Sequence, residues 1–300
     1  MAPKLNIGPK VRKPLHLHDR QLKQLEKRAS AIREDIVDML VEAGSGHSAG
    51  PLGMADIFTA LYFHVMVHDP KKPTWKNRDR LILSNGHICP VRYVAMAHAG
   101  YIPKKELMTL RKIGSRLQGH PEVTLLKSLE STSGPLGEGI AQATGIAYAA
   151  LMDRSPYRVY CVTGDGELNE GIVWEAFQFA ATNRLYNLTF IIDRNNIQID
   201  GPTEEVMPLE PLTEKLESFG LNVLRCAGNS IRDFVTTIER AQGVSEKCSV
   251  IIADTIPGYG IDFMEYDYTW HGKAPKKGSE AEDALNELRT LHGKITSEHQ

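Results

Sequence analysis

Asp165 and Asn195 are the residues from which a chemistry can be read first. Asp165 stands between two glycines in Gly164-Asp165-Gly166, and Asn195 opens Asn195-Asn196-Ile197 thirty residues further on (165 to 195). A carboxylate, a side-chain amide and a nearby backbone carbonyl are hard oxygen donors. That set suits Mg2+ or Ca2+ and lets the ion bridge to phosphate oxygens. The flanking glycines let backbone approach a ligand closely. The pair reads as a metal–diphosphate site; the plainer reading is two unrelated turns.

The elements around the pair must bring it together. The apolar run 157–162 reads as a buried parallel strand. A helix over 170–184 follows, with Val173, Phe177, Ala180 and Ala181 on one face. A second apolar strand covers 188–192. One right-handed strand–helix–strand unit then points both strand ends at the same sheet edge, where open α/β sheets bind ligands. The helix N-terminus is expected to face the same spot.

Outward from this unit, 18–43 reads as a long amphipathic helix with Asp19 as its N-cap, and 44–53 as a flexible glycine-rich run. Residues 54–65 form a second, buried helix, and 78–83 a short strand. Helices are expected over 88–99, 103–110 and from the glycine-rich 131–139 turn to 152. Its small residues (Gly139, Ala141, Ala143, Gly145, Ala147) imply close packing, internal or between subunits. Beyond the central unit come helices over 209–219 and 231–242, strands over 221–226 and 249–254, and a weak helical stripe over 279–293. Apolar strands alternating with helices give an α/β fold, a doubly wound parallel sheet with helices on both faces. The expected divisions are an N-terminal arm (1–18, loose over 3–14), an α/β domain (19–277) and a C-terminal helical tail (278–300).

The chain has 300 residues, 42% of them hydrophobic and 24% charged, with net charge −2. That balance implies neither a nucleic-acid nor a membrane-surface partner. No membrane-length apolar run or signal peptide is present. Cys89, Cys161, Cys226 and Cys248 form no CxxC pair, which fits a reducing cytoplasm. Neither Cys89 nor Ser115 carries a sign of nucleophile activation. The polar ending SEHQ is expected to be a natural terminus, the alternative being a piece of a longer protein.

Four of the eleven histidines, His47, His87, His120 and His271, lie beside glycine at element ends. Together they suggest a polar pocket able to hydrogen-bond phosphate or sugar hydroxyls, or to move a proton near neutral pH. A zinc site is the other reading, but no pair has a short metal-ligand spacing such as HExxH. His16, His18, His292 and His299 are expected to be solvated.

The GDG…NN spacing resembles the thiamine diphosphate fingerprint. GSGHSAGPLGMAD, RDRLILSNGH, GSRLQGHPE, SGPLGEG, GDGELNEG, DRNNIQIDG and WHGKAP resemble, in order, the blocks of the N-terminal part of transketolases, over about residues 44–277. Ser48-Ala49 replaces the usual Pro-Gly start of the first block. The resemblance implies a thiamine diphosphate-binding fold and a divalent ion (Mg2+, Ca2+ or Mn2+) held by Asp165, Asn195 and the Ile197 carbonyl. It implies that Gly166, His87 and His271 contact the diphosphate and that Gly134 and Leu136 line the aminopyrimidine. His47, His120 and His271 would surround the donor sugar, Arg111 and Arg116 would lie near the substrate channel, and Glu170 would link two active sites.

The same resemblance implies what the chain lacks: a pyrimidine-binding domain, its activating glutamate and its phosphate-binding arginines. The expected protein is the N-terminal subunit of a split transketolase, active only with a C-terminal subunit in an α2β2 heterotetramer. It would move a two-carbon ketol unit between sugar phosphates, as in the pentose phosphate pathway. Alternatives are a split transketolase for an unusual sugar, a 2-oxoacid dehydrogenase α-type subunit, a deoxyxylulose-phosphate synthase relative, or a non-catalytic thiamine-fold module.

Overall fold

The computed structural model describes residues 15–297. Five parallel strands form its sheet: β1 (Arg80–Leu83), β2 (Val159–Gly164), β3 (Leu188–Arg194), β6 (Asn222–Ala227) and β7 (Ser249–Asp254), in the order β1-β2-β3-β7-β6. A small antiparallel hairpin, β4 (Ile197–Gln198) and β5 (Gly201–Pro202), follows β3. The helices are α1 (Asp19–Ala43), α2 (Ala49–Gly53), α3 (Ala55–Ala60), α4 (Cys89–Ala99), α5 (Glu138–Met152), α6 (Gly171–Thr182), α7 (Thr203–Val206), α8 (Leu212–Ser218), α9 (Ile231–Gly243) and α10 (Ser279–Ser297).

Strand side chains alternate between two cores, as the pleat requires. Leu81, Leu83, Tyr160, Val162, Ile191 and Ile251 pack towards α1, α3, α4 and α9. Ile82, Cys161, Phe190, Ile192, Val250 and Ile252 pack towards α5, α6 and α8. Apolar side chains on both faces explain why these strands read as continuous apolar runs. β6 lies at the edge and β7 returns between it and β3. The chain therefore reverses direction beside β3, and the carboxyl ends of β3 and β7 flank the crevice where open α/β sheets bind ligands.

Several local expectations change. The run 44–53 is not all flexible: α2 is a buried helical turn, because Ala49 and Leu52 enter the core and the Gly53 backbone lies against Ile256. The helix expected over 54–65 ends as α3 and continues as a π turn, Leu61–Val65. The helix expected over 103–110 is a 3-10 run, Lys104–Thr109. The helix expected from 209 starts at Leu212, just after Pro211. His18, not Asp19, occupies the N-cap of α1, its N–H donating to Gln21 Oε1 at 3.2 Å. On α5, Gly139, Ala143 and Ala147 pack internally, while Tyr148 and Met152 are exposed. Ala284 and Leu288 of α10 belong to the core that α1 lines. The arm expected over 3–14 and the last three residues lie outside the described residues. No helix among the described residues is long and apolar enough to cross a membrane.

Candidate functional site

β2 ends at Gly164 and β3 at Arg194, side by side in register, so Asp165 and Asn195 leave the sheet at one edge. Asp165 is 1% exposed. Its Oδ1 accepts from Gly166 N–H at 2.7 Å, and its Oδ2 from Asn196 N–H at 2.7 Å and Arg194 Nη1 at 3.0 Å. Asn196 adopts φ 62°, which turns the chain around the carboxylate. Asn195 Oδ1 accepts from Ile197 N–H at 3.1 Å, so 195–197 closes into a loop that faces Asp165. Asp165, Asn195 and Ile197 are thus brought together. A 3-10 turn, Gly166–Asn169, follows Asp165, and α6 starts at Gly171 with Glu170 as its N-cap, beside the expected start at 170.

Three residues that sequence reasoning missed hold this edge. Asp193 Oδ2 accepts from Asn195 Nδ2 at 3.0 Å, and its Oδ1 accepts from the Thr255 hydroxyl. This fixes which way the Asn195 amide points, in the manner of an outer-shell partner. Burial pushes the Asp193 carboxyl up to about 7, against its bonds to Thr255 and Asn195. Arg194, with a side chain 2% exposed, pairs with Asp165, with Glu204 at 2.6 Å and with Glu210 at 3.1 Å. Burial raises the Asp165 carboxyl above its usual range, and the Arg194 charge opposes that rise. Glu167 is 2% exposed. It accepts from the Ser84 and Thr163 hydroxyls and from the Gly137 and Gly164 N–H groups, tying β1, β2 and the 131–139 loop together. The sequence signal was a second acidic residue inside GDGELNE, but its partners lie up to 83 residues away.

The histidines assemble around the same edge. Gly86–Ile88 forms a 3-10 turn after β1 that presents His87. A side chain at Gly86 would strike Ser133 Oγ at 2.5 Å, so the glycine is what lets the 131–139 loop close on the turn. His47 follows Gly46, and Ser48 Oγ donates to the Lys273 carbonyl, binding this loop to the one bearing His271. Trp270, buried against Phe263, anchors the latter. The ring centroids of His47, His87 and His271 lie 4.9, 5.1 and 5.6 Å apart. His120 is exposed at the rim, beside Gly134. Arg111 reaches the same loops: a Cβ built on Gly119 would be 2.9 Å from its Cζ. Arg116 instead forms a bidentate pair with Glu106. Leu136 and Glu170 are exposed on the outer side, where the Glu170 Cβ lies against Gly137. Cys89 is buried with its thiol pushed up to about 12, and Ser115 Oγ bonds Thr109. His16 and His18 are exposed; His299 and the His292 side chain lie outside the described residues.

Burial lowers the pKa of His47 to about 4, with His271, His120 and Arg111 adding to the effect. Burial likewise lowers His87 and His271. All three rings are neutral at pH 7, each with one N–H donor and one acceptor. Between about 4 and 6.5 the unfolded chain binds a proton at residue 47 that the folded chain refuses, so stability falls as the pH drops through that window. Melting temperatures across it should decline, and the decline should flatten in His47→Gln and on adding diphosphate, whose charge favours protonated imidazole. An unchanged slope in the variant would show that His47 is not held neutral by burial.

Among the described residues no group of three or more His, Cys, Asp or Glu side chains is arranged to hold a metal ion. The donor set at the edge is instead one carboxylate, one amide and one carbonyl, which fits a hard ion that also binds phosphate oxygens. His47 Nδ1, His271 Nδ1, Ser133 Oγ and Gln198 Nε2 are buried with no partner, a surplus of polar atoms that fits an anionic, hydroxylated ligand.

Residues 25–293 match the family model described as the thiamine diphosphate-binding domain of transketolase. The chain belongs to the transketolase family. It is 42% identical over 267 residues to an apulose-4-phosphate transketolase subunit from Actinobacillus succinogenes, covering 89% of this chain and 96% of that one. It is 40% identical over 241 residues to the 6-deoxy-6-sulfo-D-fructose transketolase subunit SqwG from a Clostridium species, covering 80% and 88%. The crystal structure of transketolase from Campylobacter jejuni superposes with a TM-score of 0.83 at 35% identity, covering 89% of this chain and 43% of that one. The chain thus spans less than half the length of the single-chain transketolase it resembles.

Proposed function

We propose that this chain is the diphosphate-binding subunit of a two-chain transketolase, paired with a C-terminal pyrimidine-binding subunit in an α2β2 assembly and working in the cytoplasm. The observation that carries the reading is the convergence of Asp165, Asn195, Ile197 and three neutral histidines on one sheet edge, in a chain of the same extent as relatives named as transketolase subunits. The exposed Leu136 and Ile172 near Gly137, and the exposed Tyr148 and Phe179 that meet further along α5 and α6, support a docked partner. Four buried, free cysteines support a reducing compartment.

Asp165, Asn195 and the Ile197 carbonyl would hold Mg2+, Ca2+ or Mn2+, and Gly166, His87 and His271 would hold the diphosphate. Gly134 and Leu136 would line the pyrimidine. Thiamine diphosphate, when bound, supplies the electron sink that lets a carbon–carbon bond beside a hydroxyl break and form. His47, His120 and His271 then act on the sugar. A neutral ring can donate its N–H to the donor carbonyl and accept from a hydroxyl, holding or moving a proton at that oxygen. Glu170, exposed at the start of α6, would link two active sites across the assembly.

The names of the two relatives favour a second, narrower reading, in which the donor is an unusual sugar phosphate or sulfonate. One assay tests both. The chain, its co-purified partner, thiamine diphosphate, Mg2+ and an aldose phosphate as acceptor are mixed with xylulose 5-phosphate, apulose 4-phosphate, sulfofructose or pyruvate as donor. Ketol transfer from a sugar donor supports the proposal and selects the substrate; turnover of pyruvate alone overturns it.

A further inference from the structure

Asn85 lies two residues past the end of β1 and is 1% exposed, yet neither its Oδ1 nor its Nδ2 has a hydrogen-bond partner. A carboxamide offers two donors and two lone pairs. Burying one without partners is costly, so such a group calls for an explanation. The contrast with its neighbours is sharp. The Ser84 hydroxyl donates to Glu167 and accepts from Ile140 N–H, His87 joins the histidine cluster, and Asn195 uses both ends of its amide. The Asn85 side chain points across to the end of β2: a Cβ built on Gly164 would lie 3.7 Å from both its Cβ and its Nδ2. Gly164 directly precedes Asp165. The unpaired amide therefore lies against the Gly164–Asp165 turn, on a segment that reaches His87 two residues later.

We propose that Asn85 is a further ligand-binding residue of this site, donating through Nδ2 to an oxygen of the bound diphosphate. This rests on the diphosphate reading given above. The amide is held ready by the sheet edge, so its bond to an anion comes without reorganisation of the side chain. Its burial serves the ligand and not the fold.

The two roles predict opposite signs in Asn85→Leu. Leucine has a similar volume and no polar atoms, so replacing an unpartnered buried amide should leave the melting temperature of the ligand-free chain unchanged or raised. Binding of inorganic diphosphate with Mg2+, measured by calorimetry on the full chain in the assembly in which it is purified, should weaken about 10- to 100-fold, the range for a hydrogen bond to a charged group. Asn85→Asp should bind more weakly still, because a carboxylate repels the anion. A leucine variant that melts lower and binds diphosphate as tightly as the unaltered protein would overturn the proposal and leave the diphosphate reading standing. Failure of the unaltered protein to bind diphosphate with Mg2+ would overturn both.

Discussion

Asp165→Asn will cost the assembled enzyme at least roughly 100-fold in metal affinity and a comparable factor in turnover at limiting Mg2+. Loss of even an outer-shell partner costs about 10- to 100-fold in metal affinity, and Asp165 supplies the only carboxylate of the proposed donor set. The substitution is nearly isosteric, and the one amide oxygen it keeps can still accept either from Gly166 N–H or from Asn196 N–H, which now use different carboxylate oxygens. What disappears is the charge that both a divalent ion and Arg194 require. Arg194 keeps Glu204 and Glu210, which is why the variant should still fold. Titration of Mg2+ in the presence of thiamine diphosphate, followed by calorimetry, reads the effect directly. An unchanged Mg2+ dependence would remove Asp165 from the metal site.

Glu167→Leu will destabilise the fold by about 3–5 kcal/mol, because four donors that now converge on one buried carboxylate would lose their acceptor. For a domain of this size that corresponds to a fall in melting temperature on the order of 10 °C. Glu167→Gln should fall less, since the amide oxygen still accepts. The loss is structural in origin but reaches function, because the Gly137 N–H bond holds the loop that carries Gly134 and Leu136. A leucine variant that melts with the unaltered protein would show that the 131–139 loop is held by other contacts.

The strands, and with them the sheet edge that Asp165 and Asn195 leave, were legible in the sequence because a parallel sheet buried on both faces writes itself as apolar runs; β7 falls on residues 249–254 as expected. The hydrophobic signal failed where the site intrudes. β3 extends two residues past Ile192 because Asp193 and Arg194 are buried by Thr255, Asn195, Glu204 and Glu210, partners distant in sequence or past a turn. The 49–53 segment reads as flexible from its glycines and proline, yet those small residues are what permit close approach to Ile88 and Ile256. The β4–β5 hairpin has two residues per strand, too few for any periodicity. Histidine clustering was legible only as four similar local contexts. That His47, His87 and His271 meet while Arg116 turns to Glu106 follows from tertiary contacts alone. Asn85 carried no signal beyond its place beside His87, because an unmet hydrogen bond is invisible until the fold surrounds it.

The central claim, that this family member is one half of a two-chain transketolase, is tested most directly by native mass spectrometry of the protein purified from its source, with denaturing mass spectrometry of everything that co-purifies. The expected result is a second polypeptide in equal amount, two copies of each chain, and bound thiamine diphosphate. A self-associated single chain with no second polypeptide would contradict it.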